Sequence, residues 1–218
     1  MKKNIAVIGL GIFGHEVAVG LAARGNTVVA VDVRVQAVER IKDSVAEAMV
    51  ANIADEEAMA DLGLDQFDLI IIGLGSNFEE LVLGVTCLNN LGARRIIARA
   101  SSLIQEQILL KIGADEVILP EKQSAAHLAE RLTVPNLLDF LKLDQEIDIA
   151  EILVDEALAG KSFSELDLRR RHKVTVLILK RRDQSPQVVT DPDQTLLLGD
   201  RLVVIGRQVD IEKIFATP

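Results

Sequence analysis

The chain has no tryptophan, no tyrosine, one cysteine and only six phenylalanines in 218 residues. Each scarcity excludes something. Too few aromatic rings are present to build a base-stacking platform for single-stranded nucleic acid. Without tyrosine there is no Tyr-x-x-x-Lys pair for a small dehydrogenase. The lone Cys87 allows neither a disulfide framework nor a cysteine-built zinc site. It sits in an apolar stretch, LVLGVTCLNNLG, which suits a core thiol better than a nucleophile. The three histidines, His15, His127 and His172, are too scattered to form a metal cluster with it. Cations are in deficit too: 24 Lys and Arg against 33 Asp and Glu leave a net charge of −9. That is the wrong sign for a chain that neutralises nucleic-acid phosphates. No apolar run approaches the ~18 residues of a membrane helix, and no signal-peptide pattern opens the chain, so a soluble cytoplasmic protein is expected. Hydrophobic residues make up 49%, enough for the core of one large domain, or of one medium and one small domain.

What is present starts at Ile5. The stretch from Ile5 to Asp32 reads IAVIGLGIFGHEVAVGLAARGNTVVAVD. An apolar run meets three glycines, Gly9, Gly11 and Gly14, spaced G-x-G-x-x-G. A helical pattern follows, then a second apolar run that ends in Asp32. The order is strand, tight turn, helix, strand, acid. Gly9 permits the sharp turn, Gly11 lets a pyrophosphate approach the backbone, and Gly14 lets helix and strand pack closely. The helix start points free N–H groups and a partial positive charge at the phosphates. Asp32, 18 residues beyond Gly14, can accept two hydrogen bonds from a ribose diol and repels a 2′-phosphate. This context predicts an adenosine-nucleotide site. A turn that has lost its ligand would carry the same letters.

Residues 1–119 alternate short apolar runs with helical spacing. Strands are expected at Ile5–Gly9, Val28–Asp32, Ala48–Asn52, Leu69–Gly73, Ile96–Ala98 and Val117–Leu119. Such alternation predicts an α/β fold, a Rossmann-like doubly wound parallel sheet with the ligand beyond the carboxyl ends of its strands. Pro120 then starts a helix at its favoured first-turn position. Thr133-Val134-Pro135 breaks it, and Asn136–Leu141 is expected to form a second short helix, so that 120–142 is a helix-turn-helix crossover. Residues 143–218 read as a small α+β domain. It has strands at Ile147–Val154, Val174–Leu179 and Leu202–Ile205, a helix start at Ser162–Leu166 and a closing helix at Val209–Phe215. Glu56-Glu57 and Glu79-Glu80 fit the first turns of helices, and the basic run Arg169–Lys173 fits a solvated helix end.

The whole chain resembles the RCK (or KTN) regulatory subunits of Ktr- and Trk-type bacterial potassium transporters. AVIGLGIFG…VVAVD resembles their nucleotide fingerprint, VANIADEEAM their third-strand adenine loop and GLGSNFEELVL their fourth-strand loop. KIGADEVILPEK resembles their link into the crossover helix and is the most specific of these segments. GKSFSELDLRRRHKVTVLILKR and LLLGDRLVVIG resemble their C-terminal, TrkA-C-like subdomain.

The resemblance implies a cytosolic, non-enzymatic subunit that binds ATP, ADP or NAD(H). It implies a homodimer that assembles into an octameric ring under a membrane potassium-channel subunit of the KtrB or TrkH kind, with no nucleic acid involved. Gly9, Gly11, Ile12, Phe13 and Gly14 would line the phosphates. Asp32 would bind the adenosine ribose, Asn52 and Ile53 would flank the adenine and Arg99 would lie near the phosphates, with Val33, Arg34, Gly75 and Asn77 as further nucleotide-binding residues. Glu121 would reach Mg²⁺, Ca²⁺ or Na⁺ at the dimer interface. Asp167, Arg169, Thr175 and Val176 match part of a cyclic di-AMP pattern, with Thr175 where the family has Asn. Ile12 stands where ATP-responsive members have Arg, which weakens the case for ATP over ADP. A small NAD-dependent oxidoreductase and a free-standing nucleotide-binding module are the alternatives.

Overall fold

The computed structural model describes residues 2–63, 66–75, 77–134, 136–144, 146–182 and 184–215, so Ser76 and the helix break at Pro135 lie outside the described residues. The chain divides into two compact units, Met1–Gln123 and Ser124–Pro218.

The first unit is built on strands β1 (Asn4–Ile8), β2 (Thr27–Asp32), β3 (Glu47–Val50), β4 (Leu69–Ile72), β5 (Ile96–Arg99) and β6 (Glu116–Ile118). All pair in parallel, in the order β3-β2-β1-β4-β5-β6. Between them run α1 (Ile12–Ala23), α2 (Val35–Ile41), α3 (Glu56–Asp61), α4 (Phe78–Asn90) and α5 (Leu103–Lys111). This is the doubly wound sheet that the alternation predicts.

The central strands explain why the sheet is sandwiched. Ile5, Ala6, Val7 and Ile8 are all buried, as are Ile70, Ile71 and Ile72. An unbroken apolar run on a strand needs cover on both faces. Successive side chains point to opposite faces. Ala6 and Ile8 therefore join one core with Leu81, Val85 and Leu88 of α4, while Ile5 and Val7 join another with Ala18 of α1 and Val38 and Ile41 of α2. The strand order reverses between β1's two neighbours, β2 and β4, and that switch opens a crevice at the carboxyl ends.

The second unit holds most of α6 (Pro120–Thr133), then β7 (Leu137–Lys142), β8 (Ile147–Leu153), α7 (Phe163–Leu166), α8 (Leu168–Arg171), β9 (Thr175–Lys180), β10 (Gln187–Val188), β11 (Arg201–Arg207) and α9 (Gln208–Phe215). Its sheet is antiparallel, in the order β10-β9-β11-β8-β7. Ala150, Ile152, Leu179, Leu202 and Val204 line its core with Leu168 and Ile211. Ser162 starts α7 with a capping box, its hydroxyl accepting from the Glu165 amide while Glu165 accepts from the Ser162 amide.

One expectation fails. Residues 137–142 form a strand, β7, and not the second helix of a helix-turn-helix. The reason is the neighbouring edge. β8 offers free backbone groups, and β7 pairs with it antiparallel from Leu137 against Ile152 to Lys142 against Asp148. The turn between them is closed by Asp144, whose Oδ1 accepts from the amides of Glu146 and Ile147, both at 2.8 Å. Those two amides hold the Asp144 carboxyl below its usual range. The apolar residues of NLLDFLKL serve a hairpin, and α6 meets that hairpin through His127, which stacks on Phe140 at 4.5 Å and bonds Asp139 at 3.1 Å.

Asp144→Ala is therefore expected to speed amide hydrogen exchange at Glu146 and Ile147 while leaving the parallel sheet unchanged, as read by NMR. Equal protection in the variant would show that the turn does not depend on Asp144.

Candidate functional site

The crevice is assembled from strand ends. At the β1 end, Gly9 has φ of +89°, which a side chain would strain, and its amide donates to the Val31 carbonyl at 2.7 Å. Gly14 lies one helical turn further on. A Cβ there would overlap the Gly9 carbonyl oxygen, so α1 can cross the turn only as glycine. Gly73, after β4, meets the same crossing: its Cβ would stand 2.9 Å from that oxygen and 3.1 Å from the Gly14 Cα. Gly11 differs, because nothing lies within 4 Å of its would-be Cβ, and open space remains in front of the helix.

Gly11 is also the N-cap of α1, and no side chain caps it. α2, introduced by Arg34, likewise lacks a side-chain cap, but the next three helices are treated differently. Asp55 caps α3, Asn77 caps α4 and Ser102 caps α5. The first amides of α1 are thus left for a ligand, and a helix start without a cap favours an anion. Ile12 projects from this turn, 90% exposed. Phe13 faces back to Arg99, whose guanidinium carbon lies 5.8 Å from the ring centre. Among the described residues Arg99 Nε is buried with no hydrogen-bond partner, and the guanidinium pairs with Glu121 in the first turn of α6. The amide of Glu121 itself and the Arg99 guanidinium hold that carboxyl below its ordinary value.

At the β2 end, Asp32 is 5% exposed. Its Oδ2 accepts from the Leu10 amide at 2.6 Å and its Oδ1 from the Arg34 amide at 2.8 Å. The Arg34 guanidinium closes the set, with Nε 3.0 Å from Oδ1 and Nη2 3.0 Å from Oδ2. Burial alone would push the Asp32 carboxyl up; the Arg34 side chain and the two amides outweigh it and hold it below the ordinary range. Val33 and Arg34 are exposed beside it. After β3, Asn52 is exposed, its Oδ1 accepting from the Ala54 amide at 2.9 Å. Ile53 turns inward, 2% exposed, into the α4 core.

The candidate residues from Gly9 to Arg99 therefore meet along one edge of one sheet. Leu74 and Glu80 both line the hollow beside Asp32, and Leu74 also lines the one beside Arg99. The signal for Leu74 was a second short glycine pair, Gly73-Leu74-Gly75, after an apolar run. Asp167, Arg169, Thr175 and Val176 belong to the other unit. Asp167 is left-handed, with φ of 43°, at the α7–α8 junction; Arg169 is exposed on α8; Thr175 and Val176 open β9. A hollow of about 830 Å³ is also in that unit, near Arg181, Arg182, Leu197 and Arg201. Its cations are largely spent on Glu151 and Asp200, so its size does not make it the nucleotide site. Cys87 is part-buried against the first core, and burial pushes its thiol up, as befits an inert side chain.

Asp32→Asn would turn an amide NH₂ toward N–H donors, and a loss of about 1–3 kcal/mol is expected in chemical denaturation at pH 7. The sign with pH follows from the lowered carboxyl. In the wild type this contribution is present above the unfolded Asp pKa of about 3.9 and is lost as pH falls through the lower folded value. The Asn variant is expected to lack that acid loss.

Residues 5–120 match the TrkA-N domain and residues 149–217 match the TrkA-C domain. The chain is 33% identical over 215 residues to the Ktr system potassium uptake protein C of Bacillus subtilis (strain 168), covering 98% of this chain and 96% of that one. It is 34% identical over 208 residues to the Ktr system potassium uptake protein A of Vibrio alginolyticus, covering 94% and 93%. Among solved structures it resembles the GsuK channel, with a TM-score of 0.69 at 18% identity, all of this chain spanning 40% of that one. The same channel bound to NAD gives a TM-score of 0.67 at 16% identity, again over 40% of its length. An uncapped glycine-turn helix, a buried acid on the next strand and this full-length likeness agree: the chain belongs to the family of Ktr potassium uptake proteins built from a TrkA-N and a TrkA-C domain.

Proposed function

We propose that this chain is the nucleotide-sensing regulatory subunit of a membrane potassium channel. It binds an adenine nucleotide, ATP, ADP or NAD(H), as a ligand and not as a reactant. It pairs as a homodimer, assembles into an octameric ring and docks on the inner face of the membrane through the channel subunit. The observation that carries this is the polarity of the crevice. One end holds an uncapped helix start, open in front of Gly11, with Arg99 close by. The other holds a buried acceptor, Asp32. A nucleotide has the matching polarity, with phosphate acceptors at one end and ribose hydroxyl donors at the other. Supporting it, one relative of known structure was solved with NAD bound, and two relatives of similar length are potassium uptake proteins.

In physical terms the subunit works by coupling. A nucleotide that binds one ring shape more tightly than another shifts the ring toward that shape, and the channel feels the difference. On this reading the cation site at Glu121 is completed by groups from outside the single chain. Among the described residues no three metal-ligating side chains gather. Glu121 supplies one hard oxygen ligand, and phosphates or a second copy supply the others. Among the described residues no helix is long and apolar enough to cross a membrane; on this reading attachment runs through the partner subunit.

Calorimetry on the purified chain is expected to show binding of at least one of ATP, ADP and NADH, with no steady oxidation of NADH in the presence of small carbonyl compounds. No heat with any of the three would remove the nucleotide assignment, and turnover would point to an oxidoreductase. Ile12→Arg is expected to raise the preference for ATP over ADP, because it places a cation at the mouth of the phosphate end; an unchanged ratio would separate position 12 from γ-phosphate reading.

A further inference from the structure

Resting on the nucleotide reading above, we propose that Arg34 is a latch on the ribose acid: its guanidinium fills the acceptor positions of Asp32 in the ligand-free chain, and a ribose diol binds by displacing it. The argument is a count of lone pairs. A carboxylate offers about four acceptor sites. Asp32 has four donors on it: the Leu10 amide at 2.6 Å, the Arg34 amide at 2.8 Å, and Arg34 Nε and Nη2 at 3.0 Å each. The acid is saturated, and a diol that brings two O–H donors must remove two of these.

Only two can leave. The Leu10 amide belongs to the glycine turn, and Leu10 itself is 1% exposed. The Arg34 amide follows directly from the end of β2 and introduces α2 as its N-cap. Both are held by the main chain. The guanidinium is held by Asp32 alone among the described residues, and the Arg34 side chain is 59% exposed against 4% for Asp32. It is an arginine fork on a buried carboxylate with solvent behind it, able to swing out without disturbing the core. The exchange is balanced in hydrogen bonds, two for two. It is unbalanced in charge, because an ion pair is traded for a carboxylate held by neutral hydroxyls.

Three consequences follow. The latch keeps Asp32 partnered when no ligand is present, which a buried anion requires. It lowers the apparent affinity for any nucleotide that uses both hydroxyls. It also releases one positive charge at the strand-end edge whenever the site fills, a local event that depends on occupancy.

The test is calorimetry at neutral pH on the full chain, comparing wild type, Arg34→Ala and Arg34→Gln with ADP and 2′,3′-dideoxy-ADP. Both variants are expected to bind ADP about twofold to fivefold tighter than wild type, the range in which one partly exposed ion pair falls. The dideoxy nucleotide, which has no hydroxyl to place on Asp32, is expected to bind all three proteins alike. The Gln variant keeps much of the side-chain length and covers the case in which the Ala variant does not fold. ADP affinity that is unchanged or weaker in the folded variants overturns the latch. So does a wild-type preference for NADPH over NADH that both variants lose, since that assigns Arg34 to a 2′-phosphate. If none of the three proteins binds ADP, the nucleotide reading itself fails and the latch falls with it; if wild type binds and only the variant response is wrong, the latch alone is refuted.

Discussion

The bond from the Leu10 amide to Asp32 Oδ2, at 2.6 Å, ties the glycine turn to the neighbouring strand. Much of the crevice depends on it. The turn has to leave β1 sharply, pass under α1 and keep its amides aimed outward. Left to itself such a backbone has many alternatives, because glycine restrains nothing. Three bonds remove them. Gly9 donates to Val31 on β2, Leu10 donates to the Asp32 side chain, and Gly73 donates to the Ile8 carbonyl at 2.8 Å from the β4 side. The turn is thus fastened to both strands that flank β1, and Asp32 is the only side chain among those acceptors. A buried carboxylate is costly unless it is well partnered. Its burial and its partners are therefore one feature: the acid shapes the turn, and the turn keeps the acid ionised.

From that constraint comes the division of charge in the cleft. Negative charge is concentrated at the end of β2 and positive potential at the start of α1, reinforced by Arg99. The side chains maintain this division in both directions. In the first unit α3, α4 and α5 are closed by their own Asp, Asn or Ser, whereas α1 and α2 carry no side-chain cap, and of those two α1 is the one that starts at the glycine turn. Arg99 is compensated by Glu121 yet, among the described residues, keeps a buried Nε without an acceptor. A buried donor left unmade is unfavourable, and an anion at the helix start can relieve it. In a chain of net charge −9, these are local exceptions to the overall field, placed where a phosphate would sit.

How much of this could be read in advance differs from element to element. β1 and β4 were legible because four consecutive apolar residues can only be satisfied between two layers. The helix expected at 136–141 was wrong for the opposite reason. NLLDFLKL has apolar residues for either a helix or a strand, and the edge of β8 together with the Asp144 turn decided between them. Ile53 is placed beside adenine by resemblance, but its side chain fills the core, where Gly84 leaves room for it, with Ile53 Cδ1 only 2.5 Å from where a Gly84 Cβ would stand. Gly73 reads as an ordinary strand end until the fold brings it against Gly14. Arg34 reads as a solvated charge until the fold shows what its guanidinium rests on.

By itself the sequence determined the parallel sheet, the glycine turn, the acid at the end of β2 and the small second domain, because each is written in contiguous residues whose spacing has one physical reading. Tertiary structure alone decided which acceptors of Asp32 are occupied, that Gly73 completes the α1 crossing, that Arg99 pairs with Glu121 and that residues 137–142 join a sheet. These depend on groups that meet only after folding, some of them separated by tens of residues along the chain. Local propensity carries no record of such meetings, and hydrogen-bond saturation can be counted only once all the partners are in place.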